Sequence, residues 1–160
     1  MLPPSTRSAS GRTSTLLHRP MRNPVPDRRR QRGLLDTSVV IDLEKIESDL
    51  LPIECAISAV TLAELTAGPH ATSDQQERAR RQDRLQRTEA IFDPLPLDVE
   101  ASRAYGRIYA AVFAAGRKAR GARAVDLLIA ATALSLDLPI YTRNAKDFEA
   151  LEGLVEVVEI

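Results

Sequence analysis

The chain has no tryptophan, one cysteine (Cys55), two histidines (His18 and His70) and only 4% aromatic residues among 160. Each scarcity excludes something. A single cysteine permits no intrachain disulfide and fits a reducing compartment, so a cytoplasmic location is expected. One Cys and two His leave a zinc site almost without ligands. No Ser-His-Asp or Cys-His pairing is credible, because His18 lies in an irregular N-terminal stretch and Cys55 in an apolar run. No apolar run approaches the ~18 residues of a membrane helix, so no membrane role is expected. With so few rings, Leu, Ile, Val and Ala must build the core. The remainder is ordinary for a globular protein, 44% hydrophobic and 28% charged, in a length that suits one domain.

The formal net charge of zero hides an asymmetry. Residues 1–32 hold eight Arg against one acid, Asp27, a balance of +7; residues 33–160 hold 14 basic and 21 acidic residues, a balance of −7. The basic stretch is rich in Pro, Ser, Thr and Arg and has no periodicity. It cannot bury enough apolar area to offset its ordering entropy, so residues 1–32 are expected to be a disordered basic extension. Its composition suits three roles: a transit-peptide-like leader, the product of a misassigned start with Met21 as a later candidate, or a nucleic-acid-binding arm. The folded domain is expected over 33–160. It lacks the basic surface that usually marks a nucleic-acid-binding domain.

From Gly33 the pattern becomes regular. "GLL" then "SVVIDLEKI" reads as a strand feeding a helix, with Thr37 or Ser38 able to cap it. "IECAIS" is a continuous apolar strand. "AVTLAELTAG" is a helix capped by Ser58 and stopped at Gly68-Pro69. Residues 73–91 suggest a polar helix with one thin apolar edge at Ala79, Leu85 and Ile91, and "FDPLPL" a marginal strand broken by prolines. Asp98 caps an amphipathic helix marked by Ala101, Tyr105, Ile108, Val112 and Ala115. After the polar loop "RKARGAR", "AVDLLIAATALSL" is apolar nearly all round and predicts a buried helix. "LPIYT", "NAKDFEAL" and "LVEVVEI" read as strand, short helix and strand. Alternating strands and helices predict an α/β domain with a mainly parallel sheet, whose ligand site lies beyond the carboxyl ends of the strands.

Four acids fall at or near those strand-to-helix junctions: Asp36, Glu64, Asp126 and Asp147. Each has a structural explanation. Asp36 and Asp147 suit helix starts, Glu64 suits a solvated helix face, and Asp126 can pair with Arg123. Together they suggest more. Asp126 shares its helix stripe with Ile129, Ala130 and Ala133, where an unpaired charge is costly. Two carboxylates ~4 Å apart repel by about 4 kcal/mol at an effective dielectric of 20. A divalent cation relieves that repulsion, and an all-oxygen set suits Mg²⁺ or Mn²⁺.

"LLDTSVVID", "SAVTLAEL", "RAVDLLIAATAL" and "LPIYTRNAKDF", in this order, resemble PIN-domain ribonucleases, most closely the toxin half of VapBC toxin–antitoxin pairs. The resemblance covers 33–160. It implies a three-layer α/β/α fold and a Mg²⁺- or Mn²⁺-dependent endoribonuclease acting on RNA. It further implies a homodimer and a small antitoxin partner. Asp36, Glu64 and Asp126 match the family's best-defined acidic positions, with Asp36 and Asp126 as metal ligands. The fourth position falls on Asn144 or Asp147. Thr37, Ser38 and Thr142 are candidates for orienting carboxylates or water, with capping the alternative role for Ser38. Arg117, Lys118, Arg120, Arg123 and Arg143 are candidates for gripping phosphate. Two alternatives share some of these residues. A structure-specific nuclease would need an extra substrate arch, which is not apparent beyond the weak candidate 70–91, and a haloacid-dehalogenase-like phosphotransferase would use Asp36 as nucleophile but wants a second Asp where Ser38 stands.

Overall fold

Alternation along the strands sorts the core into two layers. The computed structural model describes residues 31–160, so the expected N-terminal extension lies outside the described residues apart from its last two positions. Four short strands, β1 (Arg32–Leu35), β2 (Glu54–Ala56), β3 (Ile140–Thr142) and β4 (Val157–Glu159), form one sheet in the order β2-β1-β3-β4. Every pairing is parallel. Successive side chains on a strand point to opposite faces. Leu34 and Ile140 accordingly join one apolar cluster, while their neighbours Leu35 and Tyr141 join another. Among the described residues there are five α-helices, α1 (Thr37–Ile41), α2 (Ala59–Ala67), α3 (Gln75–Ile91), α4 (Val99–Ala114) and α5 (Ala122–Ser135). The first cluster is completed by Ile108 and Val112 of α4 and by Leu127, Ile129 and Ala130 of α5. The second contains Val39 of α1, Leu65 of α2 and Leu85 of α3. The result is the expected three-layer α/β/α arrangement. Among the described residues no helix is long and apolar enough to cross a membrane.

Three of the described helices start at a capping side chain. Ser58 Oγ accepts the Thr61 N–H at 3.0 Å to start α2. Asp98 accepts the Ala101 N–H at 2.8 Å to start α4. Asp74 accepts the Gln76 and Glu77 N–H groups to start α3.

Four expectations need correction. The first helix is only five residues long and gives way to a 3₁₀ turn over Leu43–Lys45. The "IECAIS" ladder holds three residues; Ile57 and Ala59 instead exchange backbone hydrogen bonds with Leu95, each 2.8 Å long. That bridge is all that "FDPLPL" contributes, because Pro94 and Pro96 on either side have no N–H to extend it. The thin apolar edge of α3 is also different: Leu85 and Thr88 are buried, whereas Ala79 is exposed and Ile91 is 71% exposed. Finally, "NAKDFEAL" forms 3₁₀ turns over Ala145–Leu151, anchored by buried Phe148 and Leu151.

The chain leaves β1 toward β2 and only much later returns to build β3 and β4 on the other side of β1. Such a reversal of direction opens a crevice at the carboxyl ends of the two strands that flank it, here β1 and β3.

Candidate active site

Asp36 is the residue at which the first strand becomes a helix. Its N–H donates to the Tyr141 carbonyl at 2.9 Å, so it still belongs to the sheet. Its own carbonyl accepts the Val39 and Val40 N–H groups and so begins α1. The side chain does not cap the helix, which separates it from an ordinary N-cap aspartate. It is 6% exposed, and its Oδ2 accepts from Ser38 Oγ at 2.8 Å and from Thr142 Oγ1 at 2.9 Å. The two hydroxyls are themselves oriented. Ser38 Oγ accepts the Arg143 N–H and Thr142 Oγ1 accepts the Asn144 N–H, each at 3.1 Å. Ser38 and Thr37 therefore do not cap the helix with their side chains. Both hydroxyls donated to Asp36 fall on Oδ2, and Oδ1 has no hydrogen-bond partner among the described residues.

The other three acids come from separate elements. Glu64, half-buried on α2, accepts a hydrogen bond from Thr37 Oγ1 at Oε2, which ties α2 to the start of α1. Asp126 lies one turn into α5, beside the buried Leu127 and Ile129. Asp147 lies in the 3₁₀ segment after β3, where Asn144 Nδ2 donates to its Oδ2 at 2.5 Å.

Electrostatics links the four. The Asp126 carboxyl is pushed up from its ordinary 3.8 to about 7, first by burial and then by the charges of Asp36, Asp147 and Glu64, with Arg123 opposing them. The Nε of Arg123 is buried without a hydrogen-bond partner. An acid held back from ionising first by burial and then by three neighbouring acids marks a binding place for a cation.

The donor set suits a hard, oxygen-seeking ion. Among the described residues no group of three or more His, Cys, Asp or Glu side chains is placed to hold a metal ion by itself. Magnesium rarely needs such a group: it keeps several waters and takes one or two carboxylates together with substrate phosphates. The residues present fit that kind of open site.

Two of the five cations expected to meet phosphate are already engaged. Arg143 pairs with Asp42 at 2.9 Å, and Arg117 pairs with Glu149. Half-buried Asp42 also holds Lys45 at 2.7 Å, and that bond first, then the Arg143 charge, keeps its carboxyl below the usual carboxylate range. Lys118 and Arg120 remain exposed. No run of sequence signalled the pairs Arg143–Asp42 and Arg117–Glu149, because their members lie 101 and 32 positions apart.

The model of the PIN domain family matches residues 33–154, nearly all of the described chain. The chain belongs to the PIN-domain family. It is 38% identical to Ribonuclease VapC5 of Mycobacterium tuberculosis (strain ATCC 25618 / H37Rv) over 133 residues, covering 80% of this chain and 95% of that protein. It is 32% identical to Ribonuclease VapC of Rickettsia bellii (strain RML369-C) over 126 residues, covering 76% and 91%. Among solved structures, the VapBC-5 toxin–antitoxin member from Mycobacterium tuberculosis superposes with a TM-score of 0.71 at 36% identity, covering 81% of this PIN-domain chain and 99% of that one. The two alternatives lose ground on geometry. The weak candidate for an arch, residues 70–91, is a turn and the regular helix α3, packed on the body through Leu85. The place where a phosphotransferase would want a second aspartate holds Ser38, which donates to Asp36.

Proposed function

We propose that this PIN-domain protein is a divalent-metal-dependent endoribonuclease and the toxin component of a VapBC-type pair. The observation that carries the reading is the grouping of Asp36, Glu64 and Asp147 about the half-buried Asp126, whose carboxyl is pushed up first by burial and then by their charges. Three acids delivered by three other elements act on it at the carboxyl end of the sheet. Asp36 and Asp126 would hold Mg²⁺, with Mn²⁺ also fitting. The ion supplies stabilisation of charge on the scissile phosphate and acidifies water.

The protein's own groups do the positioning. Ser38 and Thr142 hold Oδ2 of Asp36 and leave Oδ1 for the ligand. Thr37 restrains one oxygen of Glu64, so that the other can orient the attacking water. Asn144 plays the same restraining part for Asp147, which completes the acidic set.

A small antitoxin would neutralise the enzyme from an apolar groove between α1 and α3. Val40, Ile41, Leu43, Ile91 and Phe92 line this groove, and Lys45, Arg84 and Arg87 contribute cations to its wall. The toxin reading carries with it a homodimer and a cytoplasmic location.

The test is cleavage of a mixed-sequence RNA by the purified chain with Mg²⁺, Mn²⁺ or EDTA. Cleavage should need the metal, and Asp36→Asn and Asp126→Asn should each abolish it with an unchanged far-ultraviolet circular dichroism spectrum. Full activity in either variant refutes the proposed site.

A further inference from the structure

The loop between α4 and α5 stands out from the domain that carries it. Residues 33–160 have a net charge of −7, yet residues 117–120 read Arg-Lys-Ala-Arg. Gly116 and Gly121 bracket these four positions with φ of +68° and +62°, a conformation that sets the loop off sharply from both helices. Beside them, on the last turns of α4, two aromatic rings face outward. Phe113 is 75% exposed and Tyr109 50% exposed. Together with Arg117, Lys118 and Arg120 they line one shallow pocket.

Neither ring is where the core would put it. The buried stripe of α4 is Ala101, Ala104, Ile108 and Val112, and Phe113 lies off it. Tyr109 is braced by the half-buried Tyr105, with ring centroids 6.3 Å apart. Exposed rings next to cations are suited to a flat, unpaired base with a phosphate beside it. Among the described residues no ion pair engages Lys118 or Arg120.

The loop is also fastened to the acidic centre. Arg117 bonds the Lys146 carbonyl at 3.4 Å and the Glu149 carboxylate, both in the 3₁₀ segment that carries Asp147. At its other end the loop runs directly into α5, where Asp126 lies one turn in. It therefore spans the two elements that bring Asp126 and Asp147 to the site.

From this placement we infer that the Tyr109–Phe113 face and the 117–120 loop form a subsite for unpaired RNA, stacking a base on Phe113 while Lys118 and Arg120 hold the adjoining phosphates. The inference rests on the ribonuclease reading and names the strand state of the substrate. A two-fold contact between copies would set this basic loop against its own equivalent, whereas a polyanion complements it.

The experiment is fluorescence anisotropy of the full-length chain in EDTA, so that nothing is cut. A labelled single-stranded 12-mer RNA is compared with the same RNA as a blunt duplex. The mass of each protein is followed in parallel by light scattering. The single strand should bind more tightly than the duplex. Phe113→Ala should weaken single-strand binding roughly tenfold at unchanged mass. Lys118→Gln with Arg120→Gln should flatten the dependence of log K on log salt by about 1.4, at about 0.7 per lost phosphate contact. Undiminished binding by Phe113→Ala, an unaltered salt slope, or no preference for the single strand overturns the proposal. So does a Phe113→Ala chain whose mass falls, because the face is then a contact between copies. The ribonuclease reading fails separately, when wild-type protein binds RNA as described but cuts none with Mg²⁺ or Mn²⁺.

Discussion

At the scale of single residues, Asp126 makes the most specific demand. Its carboxyl keeps a proton to about pH 7 in the folded chain but loses it near its ordinary value of 3.8 when unfolded. The unfolded state thus releases that proton first as pH rises. Stability of the metal-free protein should fall between about pH 4 and pH 7 and level off above. For a half-buried group, screened by solvent, the loss is about 1–2 kcal/mol. Asp126→Asn removes the charge and with it that part of the slope. Urea midpoints at pH 5 and pH 8 should therefore fall for the wild type relative to the variant. Parallel changes in the two proteins would show that the carboxyl is not strained by its neighbours. Excess Mg²⁺ at pH 8 should restore the wild type, since a ligand of the folded state alone stabilises it by mass action.

Ser38 and Thr142 are tested differently, because they act through Asp36. Ser38→Ala and Thr142→Val each remove one hydroxyl from Oδ2 and strand one backbone N–H, of Arg143 or Asn144. Loss of a partner that orients a metal ligand typically weakens metal affinity 10–100-fold. Titrating Mn²⁺ by calorimetry into each variant should show a weakening of that order while the fold persists. An unchanged affinity would reduce both hydroxyls to packing.

Among the elements, β1 and β3 decide where Asp36 sits, and they meet over Gly33. A Cβ at that position would lie 2.5 Å from Cε2 and 2.8 Å from Cδ2 of Tyr141, with Pro52 Cγ at 3.1 Å. Tyr141 is buried, so its ring has little room to retreat. Gly33→Ala should cost about 1–3 kcal/mol, the usual range for overpacking a filled core. It should lower the urea midpoint at constant m and reduce cleavage by displacing Asp36. A neutral Gly33→Ala would mean that the two strands separate easily.

The elements also show why the sequence was legible where it was. Helices α2 and α4 could be read because their caps, Ser58 and Asp98, immediately precede clear apolar periodicity. The buried α5 announced itself by having almost no polar face. The edge of α3 was misread because its residues are nearly all polar. One buried leucine, Leu85, and the neighbouring Thr88 fix its orientation, and no periodicity can be read from two points. The 3₁₀ segment at 145–151 looked like a helix since Phe148 and Leu151, three apart, satisfy either geometry. Of the candidate site, acid identities were visible at the junctions. The pairing of Thr37 with Glu64, 27 positions away, and of Thr142 with Asp36, 106 away, was not. Such contacts exist only once the sheet has set the order of β1 and β3.

At the scale of the whole molecule, catalysis and neutralisation are expected to occupy adjoining but separable surfaces. The groove between α1 and α3 carries no member of the acidic set. It reaches the site through Val40, whose N–H bonds the Asp36 carbonyl, and through Asp42, which pairs with Arg143, the residue after Thr142. Its apolar wall includes Ile91 at the end of α3, far more exposed than a large apolar side chain needs to be. A helical partner that lays an apolar face into this groove would cover Ile91 and come to rest beside the acids. Replacing Ile91 by Asp puts an unpaired charge in that contact, while an exposed position tolerates the change within about 0.5 kcal/mol. RNA cleavage by Ile91→Asp alone should therefore match the wild type. The small antitoxin of the proposed pair should inhibit the variant at least tenfold less well, as read from its inhibition curve. Equal inhibition of both proteins would put the partner on another face. Loss of cleavage in the variant alone would make the groove part of the catalytic surface.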